Sequence, residues 1–292
     1  MQYFAHKGVS NCSAAPETEA HLLLKRMTVE AARTNGWDAE TEAVGTTASG
    51  EQWKADVLAR KGDHKMAIEI QWSAQTNEET LRRQARYALT GIRCYWLMRQ
   101  RRFPISHALP AARIGGSLEE GFIALVPTGS GEQSVPMRDF LDAAFNNRLQ
   151  FGVPVGSTAN VSVRAGYMSC WSCGGQTHII TGVDLVLGPN EFQFSVPDLG
   201  KYPDLFEVVR GHFPSGFEGA GIKSRFSKTQ ERAYLSNGCI HCDALIGEFH
   251  EHVAWENQEV VCKFPIRVDE PWRRAIQGHD GYEEGWGVYP AG

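Results

Sequence analysis

The sequence predicts a mixed α/β fold followed by a β-rich module, and three observations carry that prediction. Helix-like and strand-like hydrophobic periods alternate in the order α-β-β-β-α-β up to Met98. Residues 151–195 then alternate Val, Ser, Thr and Ile with glycine punctuation. Two Cys-x-x-Cys pairs, Cys170 with Cys173 and Cys239 with Cys242, fall in this second part. The 292 residues are 42% apolar and 22% charged, as in a folded chain, with room for one large domain or two ordinary ones.

Taken in order, Ser13 and Pro16 precede an amphipathic helix over 17–33, with an acidic first turn and Leu22, Leu23, Met27, Val29 and Ala32 as its apolar stripe. Strand-like runs follow at 41–47, 54–60 and 65–73, the last two joined by the Gly62-Asp63 turn. A second helix spans 77–89, stopped near Gly91, and 92–98 reads as a buried strand. This order suggests a mixed sheet flanked by helices, ending near residue 110. Residues 111–150 read as a connector holding a strand at 121–126 and a helix within 134–147, and 151–292 as the β-rich domain. Within that domain 200–221 is loop-prone, 229–235 suits a short helix, and the glycine-rich tail 278–292 reads as irregular.

Composition narrows the function classes. No stretch approaches the roughly 18 apolar residues of a membrane span, and residues 1–10 lack the pattern of a signal peptide, so a cytoplasmic protein without membrane contact is expected. With 29 basic and 34 acidic residues the net charge is −5, so any nucleic-acid contact must come from local basic patches.

Two carboxylates stand out against their strands. Asp56 lies in Ala55-Asp56-Val57-Leu58 and Glu69 in Ala67-Ile68-Glu69-Ile70-Gln71, where a charge needs a partner. Period-two alternation puts Glu69 and Gln71 on one face, with Ile68 and Ile70 on the other. If the two strands pair, Asp56 and Glu69 come close enough to hold one hard cation, magnesium or manganese, which polarises a phosphate and activates water. Spacing alone leaves a second reading open, in which both are edge-strand residues facing solvent or arginine.

The ordered set Glu17-Thr18-x-x-His21-x-x-x-Lys25, Asp56-Val57-Leu58, Ile68-Glu69-Ile70-Gln71-x-Ser73, Arg83-x-x-x-Tyr87 and Gly91-Ile92 leading into Tyr95-Trp96-Leu97 resembles the competence protein CoiA-like nuclease family, of the PD-(D/E)XK nuclease superfamily. The resemblance covers the N-terminal third and implies a restriction-endonuclease-like sheet. Carried over by position, it implies Asp56 and Glu69 as principal metal ligands and Glu17 as an assisting group; His21 and Lys25, stacked with Glu17 on one helical face, are expected in metal-side or phosphate-side catalytic roles if that face meets the strands. Gln71 stands where the superfamily has lysine, and a neutral amide cannot supply that positive charge, so Lys25 or Arg83 becomes the candidate cation. Ala55 stands where the superfamily name has proline.

Arg83, Arg86 and Tyr87 on the second helix are the expected nucleic-acid contacts, with Arg82, Arg99, Arg101 and Arg102 nearby. The alternative is a solvated helix face in which Glu78 and Glu79 pair with the arginines. Trp72, Tyr95 and Trp96 suit either core or base stacking.

The two cysteine pairs form zinc-knuckle-like turns, and four thiolates make a closed, structural zinc site. Their separation of about 65 residues implies an insertion within a zinc-ribbon-like module. The opposing reading builds a catalytic zinc from His241, His250 and His252 with Glu248 or Glu251. Cys12, Cys94 and Cys262 are expected in packing roles. The leading expectation is therefore a magnesium-dependent deoxyribonuclease with a structural zinc module. One alternative is a non-catalytic nucleic-acid-binding or scaffold protein that keeps the nuclease fold. A third reading makes the zinc module a docking surface for a protein partner in DNA processing or defence against foreign DNA.

Overall fold

The computed structural model describes residues 17–128, 131–214 and 221–290; the expected helix start at Ser13 and Pro16, the packing role of Cys12 and the segment 1–10 lie outside the described residues. Seven strands form one sheet in chain order: β1 (Asp38–Thr46), β2 (Gln52–Lys61), β3 (His64–Gln71), β4 (Arg93–Met98), β5 (Ala111–Ser117), β6 (Gly121–Thr128) and β7 (Gly131–Pro136). The β3–β4 and β4–β5 pairs are parallel and the rest antiparallel, so the sheet is mixed, as its sequence predicts. The parallel β3–β4 pair needs a crossover, and α2 (Asn77–Leu89) supplies it.

Helices cover both faces. On one, α1 (Glu19–Thr34) and α3 (Met137–Phe145) enclose Leu24, Val57, Ile68, Ile70, Tyr95 and Phe140. On the other, α2 covers Ala67, Cys94 and Trp96 through Tyr87. α1 starts where the Thr18 hydroxyl accepts the His21 N–H at 3.3 Å, and it buries Ala20, Leu24, Thr28 and Ala32 along one stripe. The β3 alternation is as the sequence implies: Met66, Ile68 and Ile70 join the α1 core, and Ala67 joins the α2 core.

The segment expected as a connector, 111–150, instead completes this sheet. Ile114, Phe122, Ala124 and Val126 alternate into the same core, and hydrophobic period alone does not say which sheet a strand joins. The tail also departs from its reading. β16 (Trp286–Val288) pairs with β8 (Leu149–Phe151), and Trp286 is buried in the first core with its indole N–H donating to Ser106 O at 3.0 Å.

The second unit is built on the sheet β11-β10-β9-β15, with β9 (Thr158–Ser169), β10 (Gln176–Leu187), β11 (Asn190–Phe194) and β15 (Glu259–Arg267). Its core, with Val161, Val163, Leu185 and Phe194, is closed by α4 (Val196–Leu199), α5 (Pro203–Arg210) and α7 (Glu270–Gln277). The loop-prone stretch thus holds a helix, begun by Pro203 in its first turn. The helix expected at 229–235 is replaced by a strand: β12 (Lys223–Ser227), β13 (Arg232–Gly238) and β14 (Leu245–Ile246) form a small sheet. α6 (Glu248–Trp255) lies close against β9, where a Cβ on Gly166 would sit 2.1 Å from the Ala254 carbonyl oxygen. Among the described residues no helix is long and apolar enough to cross a membrane.

Candidate functional site

The β2–β3 ladder ends at Val57 opposite Ile68. Beyond that point the Asp56 carboxylate takes the place of a backbone partner and accepts the Ile70 N–H at 2.8 Å, which fixes Asp56 where the strands part. Across β2, the β1 ladder keeps one register from Thr41 opposite Val57 to Ala43 opposite Ala55, which sets Glu42, at φ 59°, at the level of Asp56. That left-handed backbone costs an L-residue about 1–2 kcal/mol. Glu42 pairs with Lys25 and Lys54.

α1 brings the other groups to this fork. Glu17 lies just ahead of the Thr18 cap, and His21 and Lys25 follow at one-turn intervals. The Lys25 side chain is only 4% exposed; its ammonium donates to Glu17 and Glu42 and lies 3.0 Å from Asp56 Oδ1. Burial works against that charge, but the three carboxylates win and raise the Lys25 pKa. His21 stands between two of them, its Nε2 3.4 Å from Asp56 Oδ1 and its Nδ1 3.6 Å from Glu17 Oε1. Burial likewise pushes Asp56 up, yet His21, the Ile70 N–H and Lys25 together hold it at about 2. The ligand atoms of Glu17, His21 and Asp56 lie within 4.8 Å of one another, a spacing that fits a metal ion.

Glu69 leaves the opposite face of β3. Its side chain is 1% exposed and both oxygens accept: Oε1 from the Tyr87 hydroxyl, and Oε2 from Arg83 Nη2 at 2.6 Å. Arg83 also donates to Gln71 Oε1 and Gln75 Oε1, both at 3.1 Å, and its guanidinium lies 4.9 Å from the Trp96 ring centre. Burial pushes Glu69 up to about 7, with the Asp56 charge adding to the rise and Arg83 and Tyr87 opposing it. Asp56 and Glu69 therefore sense each other electrostatically, but their carboxylates turn to different helices.

The sequence-derived residues thus fall into two adjacent groups. Glu17, His21, Lys25 and Asp56 meet on the α1 side; Glu69, Gln71, Arg83 and Tyr87 meet on the α2 side. Tyr87 offers no surface to a nucleic acid, because it is 1% exposed and packs against Trp53 with ring centres 5.5 Å apart. Arg86 donates to Gln52 O at 3.0 Å and to Glu79. Arg83 and Arg86 line a cleft of about 750 Å3 between the β1–β2 hairpin and α2, with Trp53 and Lys54 on the far wall. Gly45 permits that wall: a Cβ there would lie 2.1 Å from the Trp53 ring. Sequence reasoning missed Glu42 and Lys54, and only the acidic and basic character of those strand positions hinted at them. Tyr95 and Trp96 are buried, and Arg99 lies 4.8 Å from the ring of half-buried Trp72.

Residues 17–109 match the family model of the competence protein CoiA, nuclease-like domain. The matched span holds every residue of both groups. The CoiA nuclease-like match covers about a third of the chain and ends before β5. No curated protein matches the chain. A crystal structure of a protein of unknown function, AF1548, aligns at 13% identity with a TM-score of 0.25, over 34% of this chain and 62% of that one; at that score the likeness carries no argument.

The cysteine pairs do converge. Cys170 Sγ lies 3.7 Å from Cys242 Sγ and Cys173 Sγ 3.6 Å from Cys239 Sγ, and all four thiols lie within 4.8 Å of one another, so the cluster can bind zinc. One pair sits in the β9–β10 turn and the other in the β13–β14 turn. The turns repeat one geometry: Gly174 N donates to Cys170 O and Asp243 N to Cys239 O, both at 2.9 Å, with Gly174 and Asp243 at φ 73° and 60°. β10 to β13 form the intervening insertion. His241 Nε2 instead contacts Gln176 O at 2.8 Å, and His250 stacks on Trp171, so among the described residues no histidine joins the cysteine cluster. Cys94 is buried in the α2-side core and Cys262 packs against the second core, in keeping with packing roles.

Proposed function

We propose that this protein is a metal-dependent nuclease that hydrolyses DNA phosphodiester bonds at the fork around Asp56, with a structural zinc module. The observation that carries this reading is the meeting of Glu17, His21, Lys25 and Asp56 beside a charged cleft, inside a span matching a nuclease-like family. The donor set fits a divalent ion, since it offers two carboxylates and an imidazole without a closed shell. When bound, such an ion polarises the scissile phosphate and acidifies a water molecule.

The chain's own residues supply the rest. Gln71 is neutral, so Lys25 and Arg83 provide the positive charge that the superfamily draws from lysine. Lys54, Arg83 and Arg86 line the cleft, where they neutralise backbone phosphates. Trp53 gives that cleft one flat wall. The zinc module has no open coordination position and holds two hairpin turns together.

The test is incubation of the full, zinc-loaded chain with plasmid, linear and single-stranded DNA plus magnesium or manganese. Metal-dependent cleavage, lost in Asp56→Ala and Glu69→Ala, is the expected result; equal cleavage by wild type and variants overturns it. A second reading is a non-catalytic nucleic-acid binder, favoured by the neutral Gln71 and by the hydrogen bonds that Arg83 and Tyr87 already give to the two Glu69 oxygens. It expects DNA retention without metal and without dependence on Asp56.

A further inference from the structure

The geometry points to a divalent-ion site in which His21, and not Glu69, is the ligand that accompanies Asp56 and Glu17. Three observations converge on it. First, the three ligand atoms lie within 4.8 Å of one another, with contributions from the start of α1 and from β2. Second, His21 Nε2 is buried and makes no well-formed hydrogen bond: its neighbour Asp56 Oδ1 lies at 3.4 Å and Glu17 Oε1 lies 3.6 Å from Nδ1, both long electrostatic contacts beyond the usual N–H···O range of about 2.7–3.2 Å. A buried imidazole nitrogen without a well-formed bond, set beside a carboxylate, is suited to donate its lone pair to a cation. Third, both Glu69 oxygens already accept hydrogen bonds from Arg83 and Tyr87 on the other side of the sheet.

Charge balance agrees with this division. Glu69 is neutralised by Arg83, whereas the three carboxylates of Glu17, Glu42 and Asp56 share the two ammoniums of Lys25 and Lys54, which leaves one uncompensated negative charge at the fork. In this arrangement Glu69 is a positioning residue: it holds the Arg83 guanidinium at the cleft. A nitrogen donor also changes the preferred ion. Magnesium favours an all-oxygen shell, whereas first-row divalent ions tolerate an imidazole among their carboxylates; manganese, the weakest binder of that series, still accepts one more readily than magnesium, so the site binds manganese more tightly than magnesium. This deepens the metal-dependent reading above, but its test needs no substrate.

The full-length zinc-loaded protein is titrated with manganese and followed by electron paramagnetic resonance, with electron spin-echo modulation used to detect nitrogen bound to the ion. Wild type is expected to show nitrogen coupling and to bind manganese more tightly than magnesium. His21→Gln should lose the coupling and weaken manganese binding by at least ~10-fold, while Glu69→Gln stays within about threefold of wild type. Manganese bound without nitrogen coupling, no binding at millimolar ion, or loss of binding in Glu69→Gln but not His21→Gln each overturns the assignment. Absence of nitrogen coupling in the wild-type spectrum overturns the assignment even if a variant fails to fold. Nitrogen coupling without DNA cleavage would sink only the nuclease reading; cleavage without coupling would sink only the ligand assignment.

Discussion

Replacing Arg83 with methionine tests the closed pair beneath the cleft. The substitution removes a charge-assisted bond to Glu69 worth about 1.5–3 kcal/mol, two bonds to half-solvated amides worth about 0.5–1 kcal/mol each, and ring stacking on Trp96 worth about 0.5–1 kcal/mol. The expected loss is about 3–5 kcal/mol, the range for breaking a buried pair by removing one partner. Much of it comes from Glu69, left at 1% exposure without a counter-charge. Glu69→Gln added to Arg83→Met should therefore restore about 2 kcal/mol relative to the sum of the single changes. The assay is amide hydrogen exchange in β3 and α2, which reports the opening of this layer rather than of the whole chain. Arg83→Met should exchange roughly a hundred- to several-thousand-fold faster, and the double variant about thirtyfold slower than additivity requires. Strict additivity would refute the claim that the guanidinium compensates a buried carboxylate.

Other consequences can be measured separately. Glu69 is raised from 4.5 to about 7, so its effect on stability is most favourable below pH 4.5 and is lost as pH rises through 7; Asp56 is lowered from 3.8 to about 2, so its contribution is present above pH 3.8 and lost as pH falls through 2. Exchange rates against pH should show both limbs, with Glu69→Gln flattening the neutral limb and Asp56→Asn the acidic one. Gly166→Ala should free α6 from β9, because the added methyl would sit 2.1 Å from Ala254 O; proteolysis near Trp255 should accelerate. Trp286→Ala should cost about 3–5 kcal/mol in the first core, read as a lower melting temperature for the seven-stranded sheet. A strong chelator should remove one equivalent of zinc and unfold the β9–β10 and β13–β14 turns, leaving exchange in β3 unchanged.

Much of this arrangement is legible in the amino-acid order. Ile68 and Ile70 alternating with Glu69 and Gln71 define the two faces of β3, and the Cys-x-x-Cys pairs announce their own convergence. Local periodicity gave α2 its bounds, because Thr76 and Gly91 mark both ends. The illegible parts depend on partners distant in sequence. Nothing local says that Ala111 joins a strand beside Trp96, or that Trp286 returns to Ser106. The run 229–235 carries polar residues that suit a helix, yet pairing with β12 overrides that preference. Within the site, the spacing of Glu17, His21 and Lys25 foretold one helical face. An arginine partner for Glu69 was one of the readings that spacing left open; that Arg83 takes Glu69 and not Asp56 was not foretold, since it depends on which helix covers which side of the sheet.

The return of Trp286 also bears on the order of assembly. A ribosome that has released the first 150 residues has released every side chain of the candidate site and all seven strands of its sheet. It has not yet supplied the indole that fills the floor of that core, nor the Val288 backbone that bonds both amide atoms of the Gln133 side chain. The segment synthesised first thus takes part of its core from β16, which lies beyond the whole of the second unit in the chain. A shortened chain keeps all of the chemistry and loses the fastening that holds it in register.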